Sequence, residues 1–228
     1  MTAVRAELYC AVMENEHNTL LIVDNDRITL MALRSFLEKA LPDFSLLPPV
    51  DRGDEAIRQC TSVFNPPEVL LIDMSMNGIN GPMAIRAIRR ENRAIRILAM
   101  TSFTLADYAC EAADAGSQGI ISKNDVQHMS QALRTIADGR VWDGGSGVVF
   151  EDAALAYEHV RANRRNDLSA REIEAVDAWS RGMTAARIAE HMDVSENTVR
   201  TYLARASEKL GCASRKELIG AWLRLRSR

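Results

Sequence analysis

Four polar residues stand where apolar runs end. Asp24 closes TLLIVD (Thr19–Asp24), Asp73 closes EVLLID (Glu68–Asp73), Thr101 closes IRILAMT (Ile95–Thr101), and Lys123 directly follows QGIIS. Two carboxylates, a hydroxyl and an ammonium on one rim suit a hard divalent cation together with a phosphoryl group. Mg²⁺ takes oxygen ligands and keeps several waters, while Thr and Lys meet phosphoryl oxygens by hydrogen bonding and charge. An Asp carboxylate can itself be the nucleophile that accepts phosphate. Polar residues often end strands, which suffices for any one of these positions. It is a poor account of all four at successive strand ends.

These side chains meet only if the strands run parallel with their carboxyl ends together. The patterning supports that arrangement. Short apolar runs alternate with helical patterns, from ITLMALRSFLEKAL (Ile28–Leu41) through DEAIRQC, PMAIRAIRRE and LADYACEAADAG to DVQHMSQALRTIADG. One run, SLLPPV (Ser45–Val50), contains Pro48 and Pro49. Proline cannot donate to a ladder, so this run belongs on a sheet edge. The expected fold over residues 18–138 is α/β, a five-stranded doubly wound parallel sheet with its ligand crevice at the carboxyl ends of the strands. Residues 1–17 read as an N-terminal extension.

GRVWDGGSG (Gly139–Gly147) breaks the pattern and reads as a hinge. It opens a linker over 139–166 that includes a helix within Glu151–Arg165. From 167 to 228 the patterning is helical throughout, giving a small all-α domain of four helices. Ser169 and Glu172 form a capping box. Thr184 and Ser195 can cap the next two helices, and Gly182 and Gly211 can end two of them. Thr184–Leu210 has the helix–short turn–helix layout, with Asn197, Thr198, Arg200, Thr201 and Arg205 on polar positions of its second helix. A major groove admits one helix, and polar or basic groups near its start reach base edges.

Charge divides the same way. From residue 164 onward there are 13 Lys/Arg and 9 Asp/Glu, a net of +4; before it there are 15 and 22, a net of −7. An acidic front on a basic back fits one part that regulates and one that meets a polyanion. The longest aliphatic runs, such as Val69–Ile72, are far below the ~20 residues that span a bilayer. No signal-peptide pattern opens the chain. Four dispersed cysteines without a CxxC pair read as reduced thiols, so a cytoplasmic location is expected, with no membrane partner.

VDND (Val23–Asp26), LIDMSMNGING (Leu71–Gly81), MTSF (Met100–Phe103) and GIISK (Gly119–Lys123) together resemble the receiver domain of two-component response regulators. The resemblance implies that Asp73 is the phosphoacceptor and that Thr101 and Lys123 contact the phosphoryl group. It places Mg²⁺ on Asp24, Asp73 and the backbone carbonyl of Ser75. Three positions depart from the family pattern. Asn25 replaces the usual second acid, leaving Asn25 or Asp26 as the further metal ligand and removing one negative charge from the site. Ile120 stands where an aromatic is common, and Asn77 where a proline is usual.

LSAREIE, GMTAARIAEHMDVSENTVRTYL and KLG within Leu168–Leu223 resemble the LuxR-type helix-turn-helix. The whole order resembles the NarL/FixJ subfamily. This implies base-edge contacts from Arg200 and Thr201, with Asn197, Thr198 and Arg205 on phosphates. Ala204 departs from the polar or basic residue many members carry there. Leu218, Ala221 and Trp222 of the last helix are expected to form a homodimer contact matching an inverted-repeat operator. The expected function is a non-enzymatic transcription regulator that binds double-stranded DNA. Phosphorylation of Asp73 by a sensor histidine kinase or other phosphodonor would promote its dimerisation. The alternative is a phosphorylation-independent regulator controlled by a ligand, a partner protein or concentration. A stand-alone phosphohydrolase is disfavoured, since Met74 and Ser75 follow Asp73 and the second acid of a D-x-D arrangement is absent. The Arg-rich run Arg86–Arg96 is expected on a solvated or partner-facing surface. The four histidines are expected in ordinary structural roles.

Overall fold

A computed structural model describes residues 18–162 and 168–226. Five parallel strands, β1 (Asn18–Val23), β2 (Phe44–Leu46), β3 (Val69–Asp73), β4 (Arg96–Thr101) and β5 (Gly119–Ser122), lie in the order β2-β1-β3-β4-β5. They alternate with α1 (Arg27–Ala40), α2 (Gly53–Cys60), α3 (Gly81–Glu91), α4 (Leu105–Ala115) and α5 (Val126–Ala137). The doubly wound α/β sheet read from the patterning is therefore present. β3, buried along its whole length, pairs with β1 on one side and β4 on the other. Strands covered on both faces carry unbroken apolar runs.

Successive side chains point to opposite faces, so one strand feeds two cores. Leu20, Ile22, Leu71, Leu98 and Met100 pack with Leu33 and Leu37 of α1 and Leu133 and Ile136 of α5. Leu21, Val23, Leu70, Ile72 and Ala99 pack with Ile57 of α2, Ile85 and Ile88 of α3, and Ala109 and Ala112 of α4. The proline-containing run does lie at the edge: β2 stops at Leu46, and after Pro48 and Pro49 the chain rejoins β1 through Val50, whose N–H donates to Ile22 O at 3.0 Å.

The segment expected as a hinge is tied down at Trp142. Trp142 N–H donates to Gln118 O at 2.9 Å, and Ile120 N–H donates to Trp142 O at 3.2 Å, extending the sheet beyond β5. Gly119 makes this approach possible, because a Cβ there would lie 2.3 Å from Trp142 O. Next comes α6 (Ala153–Ala162), with Ala156 and Val160 buried. Val160 lies over Gly116, whose φ of 97° ends α4.

Helices α7 (Ala170–Ser180), α8 (Ala185–Met192), α9 (Glu196–Lys209) and α10 (Arg215–Arg226) pack around Ile173, Val176, Ile188, Val199, Leu203 and Trp222, which are continuous with the core on the α3 face of the sheet. The Ser169–Glu172 capping box forms, and Thr184 and Ser195 accept from the backbone of α8 and α9. This helical unit rests on α2 and α3: Arg90 of α3 donates to Leu168 O at 2.5 Å, and Arg58 of α2 lies 3.5 Å from Glu174.

One expectation fails in part here. Within the Arg-rich run, Arg89 is 0% exposed and Arg90 is also buried, so neither faces solvent. Arg89 instead donates to Gly116 O at 2.9 Å, Asn92 O at 3.1 Å, Ile95 O at 2.7 Å and Gln118 Oε1 at 2.6 Å. It satisfies carbonyls at the ends of α3 and α4 that no helix bond could reach. Leu218 and Trp222, expected at a dimer contact, are buried within the chain itself. Trp222 is 0% exposed and donates its indole N–H to Asp177 Oδ1 at 3.3 Å, so the face of α10 assigned to a partner is spent on α7 of its own domain. Ala221 is half-buried beside Leu210 and Leu225.

Candidate phosphoryl and DNA sites

The pairing of β1 with β3 brings Asp24 and Asp73 to one crevice, and β4 and β5 bring Thr101 and Lys123 to its other wall. Asp24 is 0% exposed and Asp73 3%. Lys123 Nζ lies 2.7 Å from Asp24 Oδ2 and 3.1 Å from Asp73 Oδ1. One ammonium thus faces two buried carboxylates, and neither Asp24 Oδ2 nor Asp73 Oδ1 makes a well-aligned hydrogen bond with it. Burial pushes the Asp73 carboxyl above its usual range and the Asp24 charge adds to this, while Lys123 and the Ser75 backbone pull against it.

Backbone geometry holds the walls. Met74 N–H donates to Met100 O at 2.9 Å, and Lys123 N–H donates to Thr101 O at 2.8 Å. The buried Thr101 hydroxyl accepts from Phe103 N–H at 3.1 Å, so its own hydrogen remains available to a phosphoryl oxygen. Asp24 Oδ1 accepts from Asp26 N–H at 2.9 Å. Asp26 itself is the N-cap of α1: its Oδ1 accepts from Ile28 at 2.8 Å and Thr29 at 3.3 Å. These bonds hold its carboxyl below the ordinary value. Asn25, half-buried, is left beside the crevice with a neutral carbonyl.

On α9, Asn197, Arg200, Thr201 and Arg205 are exposed, with Thr198 partly covered. Arg200 lies 3.5 Å from Glu196 one turn earlier, Thr201 donates to Asn197 O at 2.9 Å, and the Thr198 hydroxyl lies 2.8 Å from that of Ser195. The polar face therefore remains open while the helical unit is docked on α3.

The family model for the response regulator receiver domain matches residues 20–134, and that for bacterial regulatory proteins of the luxR family matches residues 166–221. The chain belongs to the response regulators. Curated relatives of this response regulator include the transcriptional regulatory protein LiaR of Bacillus subtilis, 26% identical over 87% of this chain and 93% of its own length. The DNA-binding transcriptional activator EvgA of Escherichia coli is also 26% identical, over 87% of this chain and 94% of its own length. A solved structure of two RcsB dimers bound to two parallel DNAs shares the fold, with a TM-score of 0.51, 19% identity, and coverage of 90% of this chain and 98% of that one. A receiver followed by a LuxR-type DNA-binding domain is the architecture of a regulator of transcription.

Sequence reasoning missed Gly81 of this regulator. A Cβ there would lie 2.3 Å from Asp73 O and 2.6 Å from Met74 Cα, so the start of α3 packs directly on the acceptor's backbone. The run Asn80-Gly81-Pro82, a cap followed by a small residue and a helix-opening proline, was the available signal. Tyr108 was also missed; nothing local links it to Ser75, 33 residues away, whose hydroxyl it accepts at 3.0 Å. Among the described histidines, His128 pairs with Asp125 and His159 with Glu151, each at 2.8 Å. His17 and Cys10 lie outside the described residues. Among those described, no three His, Cys, Asp or Glu form a metal cluster, and no helix is long and apolar enough to cross a membrane.

Proposed function

We propose that this response regulator accepts phosphate on Asp73, from a sensor histidine kinase or another phosphodonor, and as a homodimer binds double-stranded DNA to control transcription. The observation that carries the reading is Lys123 within 3.1 Å of Asp73 and 2.7 Å of Asp24 in one buried crevice. Two buried carboxylate oxygens without aligned donors fit a hard cation. Asp24, Asp73 and the Ser75 carbonyl would hold Mg²⁺, with Asn25 as the further oxygen. Asp26 is committed to its cap. The cation would neutralise charge between the acceptor and the incoming phosphoryl group.

The chain's own groups do the rest. Asp73 presents a carboxylate oxygen as nucleophile, the Thr101 hydroxyl donates to a phosphoryl oxygen, and Lys123 leaves one of its two acids to pair with the new charge. In the DNA-binding domain, which we place at 167–228 beyond a receiver at 18–138 and a linker at 139–166, Arg200 and Thr201 would read base edges. Asn197, Thr198 and Arg205 would sit on phosphates. A second reading, regulation without phosphate, is favoured by one specific observation. Lys123 already compensates both acids, and the two residues after Asp24 contribute an amide and a capping carboxylate rather than a free acid.

Intact mass after incubation with Mg²⁺ and acetyl phosphate, beside Asp73→Ala, separates the two. The first reading expects a phosphoryl adduct on the wild type alone. A folded wild type that binds DNA and takes no adduct establishes the second.

A further inference from the structure

The loop from Asp73 to α3 is anchored at both ends. At its start, Met74 is held by Met100 O; at its end, Gly81 N–H donates to Met74 O at 3.1 Å and the glycine packs on the Asp73 carbonyl. Between them lies Ser75, whose backbone carbonyl faces the cation under the reading above. Its hydroxyl donates to the phenol oxygen of Tyr108, on the second turn of α4, at 3.0 Å. Tyr108 is half-buried, and its ring packs against Phe103 with centroids 5.8 Å apart and planes at 35°. Such tilted pairs are attractive beyond their burial alone. Phe103 is otherwise 58% exposed, so Tyr108 is the apolar surface it has found. The same Phe103 gives its N–H to the Thr101 hydroxyl at 3.1 Å.

These contacts close a ring around one side of the crevice: Asp73, Ser75, Tyr108, Phe103 and Thr101. Two of its members touch the phosphoryl group under the proposed function; Tyr108 and Phe103 do not. The ring ties the Ser75 loop to the turn after β4 beyond the point where the Met74–Met100 backbone bond ends their pairing. Ser75 and Tyr108 also line a cavity of about 220 Å³ whose further wall is Arg226 of α10, itself bound to Asp177 Oδ1 at 3.0 Å.

We propose that Tyr108 is a positioning residue for the acceptor site: its phenol clasps Ser75 and so sets the spacing between the Asp73 loop and the Thr101 turn. This rests on the reading of Asp73 as phosphoacceptor. Without the phenol, the Ser75 carbonyl is ordered anew each time the site is loaded, and loading weakens. Tyr108→Phe removes the oxygen and keeps the ring on Phe103, so it isolates the clasp from the packing.

The test uses the full chain as wild type, Tyr108→Phe, Ser75→Ala and the double variant. Mg²⁺-dependent beryllofluoride affinity is measured by calorimetry, and hydrogen exchange at the amides of residues 75–78 is followed without ligand. Each single variant is expected to bind about two- to tenfold more weakly, the span of one neutral hydrogen bond. The double variant should be no weaker than either single one, because both remove the same bond. Exchange at residues 75–78 should quicken in Tyr108→Phe while β1 and β3 stay protected. Those are movements a merely stabilising tyrosine would not produce together. Equal affinity in wild type and Tyr108→Phe, or fully multiplicative losses in the double variant, overturns the clasp alone. No beryllofluoride uptake by the wild type overturns the reading of Asp73, and the positioning role with it.

Discussion

Replacing Arg89 with Met tests how far the receiver depends on a buried guanidinium. Met keeps most of the aliphatic stem and removes every donor. Four hydrogen bonds are then lost, to the carbonyls of Gly116, Asn92 and Ile95 and to Gln118 Oε1, although Gly116 O keeps Gln118 Nε2 at 3.1 Å. Gln118 Oε1 would retain only Ile97 N–H at 2.9 Å. Hydrogen bonds to a charged group contribute about 1.5 kcal/mol or more each, so the four together approach ~6 kcal/mol. Burial opposes this, since it pulls the guanidinium down to about 10. At ~1.4 kcal/mol for each pH unit, removing the charge recovers about half of the loss. The expected net destabilisation is about 3 kcal/mol. That is a large share of the ~5–15 kcal/mol by which domains are stable. Urea titration followed by far-ultraviolet circular dichroism measures it, with Arg93→Ala as the control, because Arg93 is exposed. A midpoint for Arg89→Met equal to that of Arg93→Ala would refute the argument and make Arg89 a tolerated burial.

Four further outcomes are expected. Because burial raises the Asp73 carboxyl, its charged form costs stability that a neutral group does not. Asp73→Asn should therefore melt higher than wild type at pH 7, the gap closing as pH falls through the raised pKa and Asp73 becomes neutral too; a lower melting point at pH 7 contradicts this. Gly81→Ala should lower stability by about 1–3 kcal/mol, since the new methyl meets the backbone of Asp73 and Met74 rather than a yielding side chain; an unchanged melting curve counts against the close approach. Trp222→Ala should cost about 3–5 kcal/mol and unfold the C-terminal helices, visible as lost near-ultraviolet dichroism; a folded variant impaired only in self-association would restore the dimer role. Arg205→Ala should reduce the salt slope of DNA binding by about 1 across all sequences, whereas Arg200→Ala should relax sequence preference, both read by fluorescence anisotropy. An unchanged slope and preference in both variants rejects α9 as the reading helix.

Much was legible along the chain. Short unbroken apolar runs alternating with helical patterns, each stopped by Asp, Thr or Ser-Lys, sufficed to place Asp24, Asp73, Thr101 and Lys123 at one rim, because a parallel sheet has a single carboxyl end. Caps at Ser169, Thr184 and Ser195 are local hydrogen bonds between residues three apart, and local bonds are readable from local sequence. What failed were matters of facing. A charged run looks the same whether it meets water or carbonyls, and Arg89 and Arg90 are buried because α2, α4, α6 and α7 close around α3. An apolar stripe such as Leu218 and Trp222 looks the same whether a partner or its own domain covers it, and nothing local shows that the Trp222 indole meets the buried carboxylate of Asp177, 45 residues earlier. Asp26 showed as a spare acid until the start of α1 claimed its oxygen. The Ser75–Tyr108 clasp joins residues 33 apart, and only the tertiary structure could bring them together, since nothing in the sequence between them records the distance across the crevice.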